Sequence, residues 1–256
     1  MEGQVERPSY NIGYSFNIED TKVFKSLKKV LNQSREVSSL KLQYSSISAY
    51  NREYEVLNST LIQLKDLKSF EIEIIHLPGE SAKFPDGVFS CVELEHLVIT
   101  GIDTLSDDII SSFENLSKLR VLSIAHSQLN QVPTAFCQLK EIRVLELYLC
   151  RIDTIPEEIF ELKNLTSLNL GNNCFRTFPT SLKQLPELKF LYLYNRESPQ
   201  IKSENIADIA GTFCYNKFSS ISLNGFESLN EIILRTACSD ELKDALSRKY
   251  PGIEIK

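Results

Sequence analysis

Residues 119–141 read LRVLSIAHSQLNQVPTAFCQLKE, and the pattern returns twice without a gap, as IRVLELYLCRIDTIPEEIFELKN (142–164) and LTSLNLGNNCFRTFPTSLKQLPE (165–187). The next unit begins at Leu188, so successive units begin 23 residues apart. In each unit apolar residues stand at positions 1, 4, 6, 11 and 14, and proline stands at position 15. Random apolar patterning would drift out of phase, so these residues are internal repeats.

The spacing inside one unit predicts its shape. Positions 1 to 7 alternate as a β-strand does, with positions 4 and 6 pointing inward and positions 3, 5 and 7 pointing outward. The proline at position 15 caps the return segment. One unit cannot bury its apolar face alone, so the units must stack as successive coils of a solenoid.

The pattern resembles the leucine-rich repeat family, L-x-x-L-x-L-x-x-N-x-L-x-x-[LIF]-P-x-x-[IL]-x-x-L-x-x. It is similar to the 23-residue class common in bacterial leucine-rich repeat proteins and in some intracellular eukaryotic scaffolds. The resemblance implies Asn or Cys at position 9, where the side chain hydrogen-bonds backbone groups in the turn; Asn173 and Cys150 fit, and Ser127 is a weaker substitute. It implies an α/β repeat solenoid. This horseshoe would carry a parallel sheet of about 8 short strands on its concave face and helical or irregular segments on its convex face.

Less regular units extend the repeat in both directions. Earlier units begin at Val37, Leu67 and Leu94, and a later one begins at Leu229. The units lengthen toward the N-terminus, which predicts helical convex segments there, one of them at residues 53–67.

Both ends are predicted to be covered, as the ends of a solenoid must be. The segment Asn17–Leu31 reads as an amphipathic helix. Its apolar face is formed by Ile18, Val23, Phe24, Leu27, Val30 and Leu31. At the other end, Ser239 caps a helix at Asp240–Lys249, and a final strand follows in GIEIK.

An insertion interrupts the regular spacing. Leu188 and Leu229 are 41 residues apart, and Arg196 occupies position 9 by simple counting. We predict a helix at 203–212 and consider FSSISL (218–223) as a strand. The chain is therefore expected to be one domain, 1–256. It divides into an N-terminal cap (1–36), repeats (37–194), the insertion (195–228), and a last repeat with the C-terminal cap (229–256).

Composition argues against several functional classes. The net charge is −6 and the pI about 5.3, whereas nucleic-acid-binding domains are typically basic. No apolar run approaches the roughly 18 residues of a membrane span. We predict no nucleic acid partner and no membrane span, and the sequence carries no indication of oligomeric state.

The six cysteines are scattered and contain no C-x-x-C pair. This spacing suggests neither a zinc site nor a redox motif. Reduced, mostly buried thiols in a cytoplasmic protein are the favoured interpretation. The alternative is a secreted or surface-associated protein from which a signal peptide has been removed.

Signatures of catalysis are missing from the sequence. It contains no G-x-S-x-G, P-loop or G-x-G-x-x-G, and His76, His96 and His126 have no metal-site spacing. We therefore predict no enzyme activity, no cofactor and no metal site.

Outward positions in the C-terminal half carry large rings that the scaffold does not need. The predicted partner-binding residues are Tyr148, Leu149, Phe190, Tyr192, Tyr194, Glu146 and His126. Rigid aromatic rings are enriched at interface centres, so an exposed patch here favours a binding surface. Two alternatives stay open. The preference of tyrosine for strands would also place rings here, and the insertion could fold back over them.

These observations predict a non-catalytic protein–protein interaction module. Its partner, a protein, would bind the concave strand face, especially the aromatic half. The alternative function is that of a secreted or surface bacterial protein binding host proteins or glycans through the same face.

Overall fold

The sheet that the repeats predict is present in the computed structural model. The structure describes residues 27, 30, 37–74, 82–195 and 214–256. Within them the strands are β1 Ser39–Tyr44, β2 Ser69–Ile74, β3 His96–Thr100, β4 Val121–Ala125, β5 Val144–Tyr148, β6 Ser167–Asn169, β7 Phe190–Asn195, β8 Glu231–Arg235 and β9 Glu254–Ile255. They form one open parallel sheet in chain order. The fold is an α/β repeat solenoid.

The strand register confirms the unit boundaries. The position-3 residues pair with one another from β1 to β8: Ser39, Ser69, His96, Val121, Val144, Ser167, Phe190 and Glu231. Each predicted unit start is therefore in phase, including the irregular starts at Val37, Leu67, Leu94 and Leu229.

The inward positions form one continuous core. Leu119, Leu122 and Ile124 are fully buried, and the matching residues of the other coils pack with them. On the convex side Phe113 and Phe136 continue the contact between coils, with ring centroids 4.8 Å apart. Removing one such side chain would leave a cavity, which typically costs about 2–5 kcal/mol.

The convex segments are helical. Helix α1, Ile47–Gln63, begins earlier than the predicted 53–67 because the Ser46 hydroxyl accepts from the Ala49 N–H and caps it. Helix α2 spans Asp107–Ser112. Short 3₁₀ helices lie in other convex segments: Asp86–Ser90, Phe113–Asn115, Thr134–Gln138, Glu157–Glu161 and Thr180–Gln184. Pro133, Pro156 and Pro179 immediately precede three of them, where a missing N–H costs nothing.

Within the described residues, the elements at both ends of the solenoid match the caps that the sequence predicts. Leu27 and Val30 have helical backbone and are buried, as the predicted capping helix requires. The rest of Asn17–Leu31 lies outside the described residues. Helix α3, Asp240–Lys249, begins after the Ser239 cap, and β9 follows it.

Position 9 side chains join neighbouring coils. The Asn173 carboxamide oxygen accepts from the Cys150 and Ile152 N–H groups, both at 3.0 Å. Its Nδ2 donates to the Leu147 carbonyl at 2.6 Å. In the preceding coils the Cys150 thiol bonds the Ile124 carbonyl, and the Ser127 hydroxyl donates to the Ile102 carbonyl. These side chains satisfy buried backbone groups that the strand pairing leaves over.

In the coil of β7 this place belongs to Asn216 and not to Arg196. The Asn216 Oδ1 accepts from the Phe175 N–H at 3.1 Å. Its Nδ2 donates to the Leu170 and Leu193 carbonyls, each at 2.9 Å. Residues 196–215 thus separate positions 8 and 9 of this coil.

The segment FSSISL is not a strand. Phe218 takes position 11 of the interrupted coil and is buried, and its N–H donates to the Ala237 carbonyl. The segment is the return half of that coil, which explains why Leu229 follows it so soon. The helix predicted at 203–212 lies outside the described residues.

Asn216→Ala is expected to lower the free energy of unfolding by about 3 kcal/mol. The substitution leaves three buried backbone groups without a partner, and each costs about 1–3 kcal/mol before relaxation. Urea denaturation measures the effect, and Asn51→Ala on the exposed side of α1 is the matched control. Equal midpoints for the two variants would show that Asn216 does not hold the coil.

Candidate functional site

The concave face has two parts that differ in accessibility. On β1–β3 most outward side chains are exposed or half-buried: Lys41, Gln43, Ser69, Glu71, Glu73, His96 and Thr100. On β4–β8 most are buried: Val121, Ser123, Ala125, Glu146, Tyr148, Ser167, Asn169, Gly171, Phe190, Tyr192, Tyr194, Glu231 and Ile233. The first set is called the open face below, and the second the covered face.

The aromatic residues form a cluster in the covered face. Tyr148, Phe190, Tyr192 and Tyr194 pack with Ala125 and Ile233, and Leu149 lies at the edge of this ring cluster. Their exposed fractions are only 3–8%. The rings do face outward from the strands, as the sequence predicts, but the expectation of an exposed aromatic patch is wrong. The packed rings therefore present little surface to solvent.

Gly171 explains how rings from different coils meet. It lies at position 7 of the coil between those of Tyr148 and Tyr194. Two strands would separate the two tyrosines by roughly 10 Å, yet their ring centroids are 6.1 Å apart. A Cβ on Gly171 would stand 3.1 Å from Tyr194 Cε1 and 3.2 Å from Asn169 Oδ1. The glycine therefore provides the space into which the Tyr194 ring leans.

Polar groups fix the orientation of both rings. Asn172 Nδ2 donates to the Tyr148 hydroxyl at 2.5 Å. The Arg235 guanidinium lies over the Tyr194 ring, 5.2 Å from its centroid. Burial, and then the neighbouring Tyr148, raise the pKa of Tyr194 to about 12, so its hydroxyl stays protonated at neutral pH.

The two remaining predicted residues, Glu146 in β5 and His126 directly after β4, lie beside the ring cluster. Glu146 is 2% exposed and stands in register between Ser123 and Asn169. His126 is half-buried, and its ring centroid is 6.3 Å from that of Tyr148. The structure therefore brings all seven predicted residues to one region of the covered face.

The turns after the strands impose left-handed backbone at position 8. His126, Leu149 and Asn172 have φ values of 61°, 54° and 51°. Their N–H groups donate to position-7 carbonyls of the next coil, at 2.9–3.2 Å. These bonds stabilise a conformation that non-glycine residues seldom adopt. At Asn195, the position-8 residue of β7, the strand continues instead, and the insertion leaves from there.

Cross-strand pairs order the open face. Lys41 Nζ lies 2.5 Å from Glu71 Oε1, and Gln43 Nε2 donates to Glu73 Oε2 at 2.9 Å. Such partly exposed pairs add little to stability, typically under about 1 kcal/mol. A neutral amide cannot neutralise a carboxylate, so the Gln43 bond leaves the charge of Glu73 in place.

Two features that sequence reasoning missed close the base of the insertion. Asn195 Nδ2 donates to the Asn216 carbonyl at 2.8 Å, and the Asn216 N–H donates to Asn195 Oδ1 at 3.0 Å. Cys174 and Cys214 are joined by a disulfide, with Cα atoms 5.0 Å apart. The expectation of reduced thiols throughout is therefore wrong for these two, because the interrupted coil folds Cys214 back beside Cys174. Cys91, Cys137 and Cys150 are free and buried, as predicted.

The described residues contain no cluster of His, Cys, Asp or Glu arranged to hold a metal ion. Among the same residues no helix is long and apolar enough to cross a membrane.

Known proteins share this architecture. The family model described as leucine rich repeat matches residues 142–195. The chain carries leucine-rich repeats. No curated protein matches its sequence.

Three solved structures are similar to this chain. A leucine-rich repeat protein of Leptospira interrogans is 16% identical, with 93% of this chain and 100% of that chain covered and a TM-score of 0.37. The ectodomain of the plant receptor kinase GASSHO1/SCHENGEN3 of Arabidopsis thaliana, in complex with CASPARIAN STRIP INTEGRITY FACTOR 2, is 17% identical over 84% of this chain, with a TM-score of 0.49. The plant peptide hormone receptor RGFR1 in complex with RGF2 is 21% identical over 78%, with a TM-score of 0.44. The chain spans only 26% and 31% of the two plant receptor chains.

Gly171→Ala is expected to destabilise the repeats by about 1–2 kcal/mol, because the new methyl group overpacks against Tyr194 and Asn169. In a Tyr194→Ala background the ring is absent, and the cost of the same substitution should fall to about half or less. Urea denaturation of the four proteins gives the coupling energy. Equal costs in both backgrounds would contradict the assignment of Gly171 as the space for the Tyr194 ring.

Removing the disulfide is expected to lower stability under oxidising conditions. The cysteines are separated by 40 residues, and the chain-entropy model gives about 4 kcal/mol for a loop of this length. The comparison is between wild type and Cys174→Ser/Cys214→Ser in urea, with and without a reductant, and Cys238→Ser is the control. A reductant should abolish the difference; a difference that persists fully would refute the role of the disulfide.

Proposed function

We propose that this chain is a non-catalytic protein-interaction module that binds a protein partner on its concave strand face. The observation that carries the proposal is the open face. There β1–β3 present an in-register array of polar side chains that the leucine scaffold does not need. A parallel sheet built from stacked coils gives a broad, preformed surface, and preformed surfaces lose little entropy on binding.

The open face is the part of the concave surface that a partner can reach directly. Lys41, Gln43, Glu71 and Glu73 are all at least partly exposed, and three of the four are ionisable. The Glu73 carboxylate keeps its charge despite its bond to Gln43, so a partner offering Lys or Arg would complement it. The proposed partner segment is therefore basic.

The ring cluster contributes only if the covered face becomes accessible. At 3–8% exposure its rings present almost no surface to a partner. The rings are the binding site that the sequence favours, and they stay part of the proposal as a second contact region. Half-buried His126 and Leu149 lie at its margin.

A binding assay can separate the two regions. The full chain, with a photo-crosslinker at an open-face position, captures partners, which mass spectrometry identifies. The identified partner is then titrated against Glu71→Lys/Glu73→Lys and against a Tyr148/Tyr192/Tyr194→Ala variant. The matched control is Glu157→Lys/Glu158→Lys, the same charge change on the convex side. Circular dichroism confirms that each variant is folded.

We expect the Glu71/Glu73 reversal to weaken binding by at least about tenfold, because it places two like charges opposite a basic partner. The convex control should bind as wild type does. Equal affinity for all variants would rule out the concave face as the binding surface. Loss confined to the tyrosine variant would move the site to the ring cluster.

A second candidate is a secreted or surface-associated protein that binds its target through the same face. The Cys174–Cys214 disulfide favours it over a cytoplasmic protein, because disulfides persist in oxidising compartments. Cell fractionation combined with alkylation of free thiols before lysis tests it. A protein found in the cytoplasm with both thiols alkylated would exclude this candidate.

A further inference from the structure

The disulfide lies in the wall of a cavity at the edge of the solenoid where the strands end. This cavity has a volume of about 520 Å³, and both Cys174 and Cys214 line it. Arg151 comes from the coil of β5 and Arg176 from the coil of β6, and both also line it. Two guanidinium groups therefore share a small open space with a disulfide.

Accessibility sets this disulfide apart from the buried free cysteines. Cys174 and Cys214 are partly exposed, whereas Cys91, Cys137 and Cys150 are buried. Burial raises the pKa of Cys91 to about 11 and the pKa values of Cys137 and Cys150 to about 12. Free Cys238 is also partly exposed, so chemistry at sulfur is expected at the Cys174–Cys214 disulfide and at Cys238, and not at the three buried thiols.

The charge of the cavity favours anions. Within the described part of the chain, its charged lining consists of Arg151 and Arg176 against one carboxylate, Asp153. The Arg151 guanidinium donates to the neutral amide oxygen of Gln128 at 3.3 Å, which leaves its charge in place. A cationic surrounding attracts anionic reagents and stabilises a departing thiolate.

We propose that the Cys174–Cys214 disulfide is an exchange site for small anionic thiols, such as carboxylate-bearing peptide thiols. A thiolate of the reagent attacks one cysteine sulfur, the S–S bond breaks, and its electron pair leaves on the other cysteine as a thiolate. A second reagent thiolate then attacks the mixed disulfide. The products are two reduced cysteines and one reagent disulfide, with the cysteine thiolates taking protons from water.

Exchange would also change how the insertion is held. The disulfide links the coil of β6 to Cys214, which comes two residues before Asn216. After reduction the hydrogen bonds between Asn195 and Asn216 remain at the base of the insertion, without the covalent link. The oxidised and reduced chains therefore differ in one covalent link, which joins the end of the insertion to the coil of β6. The hydrogen bonds between coils are the same in both.

The test is the charge selectivity of reduction. The folded chain is reduced with 3-mercaptopropionate (anionic), 2-mercaptoethanol (neutral) or cysteamine (cationic). Alkylation and mass spectrometry follow the peptides that contain Cys174 and Cys214. Each rate is divided by the rate of the same thiol on the urea-unfolded chain, which removes differences in intrinsic thiol reactivity.

The normalised rate should be about tenfold or more higher for the anionic thiol than for the cationic one, within the range of electrostatic steering. Arg151→Ala/Arg176→Ala should remove most of that preference, and Arg52→Ala on α1 should leave it unchanged. Equal normalised rates for the three thiols would overturn the proposal. So would an air-oxidised folded chain in which both cysteines remain free.

Discussion

The coils of β4 to β7 depend on one interaction, the hydrogen bonding of a position-9 side chain to backbone groups of adjacent coils. Parallel strand pairing holds positions 3 to 7, but the chain must then turn away from the sheet with its N–H and C=O groups buried. Asn173 satisfies three of these groups, and Asn216 satisfies three more. Without such a side chain the buried groups would be orphaned, at a cost of about 1–3 kcal/mol each. The interaction is present even in the interrupted coil, because Asn216, which follows the inserted residues 196–215, takes position 9.

The same interaction shows what the sequence could and could not predict. The apolar spacing at positions 1, 4 and 6 placed all eight unit starts correctly, because side-chain alternation and leucine spacing are local properties. Counting along the chain then put Arg196 at position 9, since a count cannot show that a coil has been opened between two of its positions. A signal was present: Asn216-Lys217-Phe218 repeats the spacing of Asn173-Cys174-Phe175. Cys174 follows Asn173 by one residue and Cys214 precedes Asn216 by two, so the two cysteines flank matching asparagines of adjacent coils, which cysteine spacing along the chain does not reveal.

The candidate site, too, was predictable from the sequence only in part. The alternation of the strands assigns Tyr148, Tyr192 and Tyr194 to the outward face, and the structure agrees. Alternation says nothing about what lies over that face, so exposure could not be deduced from it. The contact between Tyr148 and Tyr194 depends on Gly171, a residue without a side chain at the position between them. Its role follows from strand register, and the register follows from the repeat, so this contact could have been inferred from position 7 of three consecutive coils.

The energetics of the two parts of the concave face decide which of them a partner would use first. A buried tyrosine or phenylalanine hides about 150–250 Å², worth roughly 4–6 kcal/mol at 25 cal/mol/Å². Exposing even one ring would therefore weaken an otherwise equal interaction by a thousandfold or more, since about 1.4 kcal/mol corresponds to a factor of ten. A partner that used the ring cluster would have to replace the whole of that burial with its own contacts. The open face requires no such replacement, because its side chains are already hydrated and their cross-strand pairs are individually weak. We therefore expect the proposed partner to contact β1–β3 first, and the ring cluster to join only where that partner offers comparable apolar area.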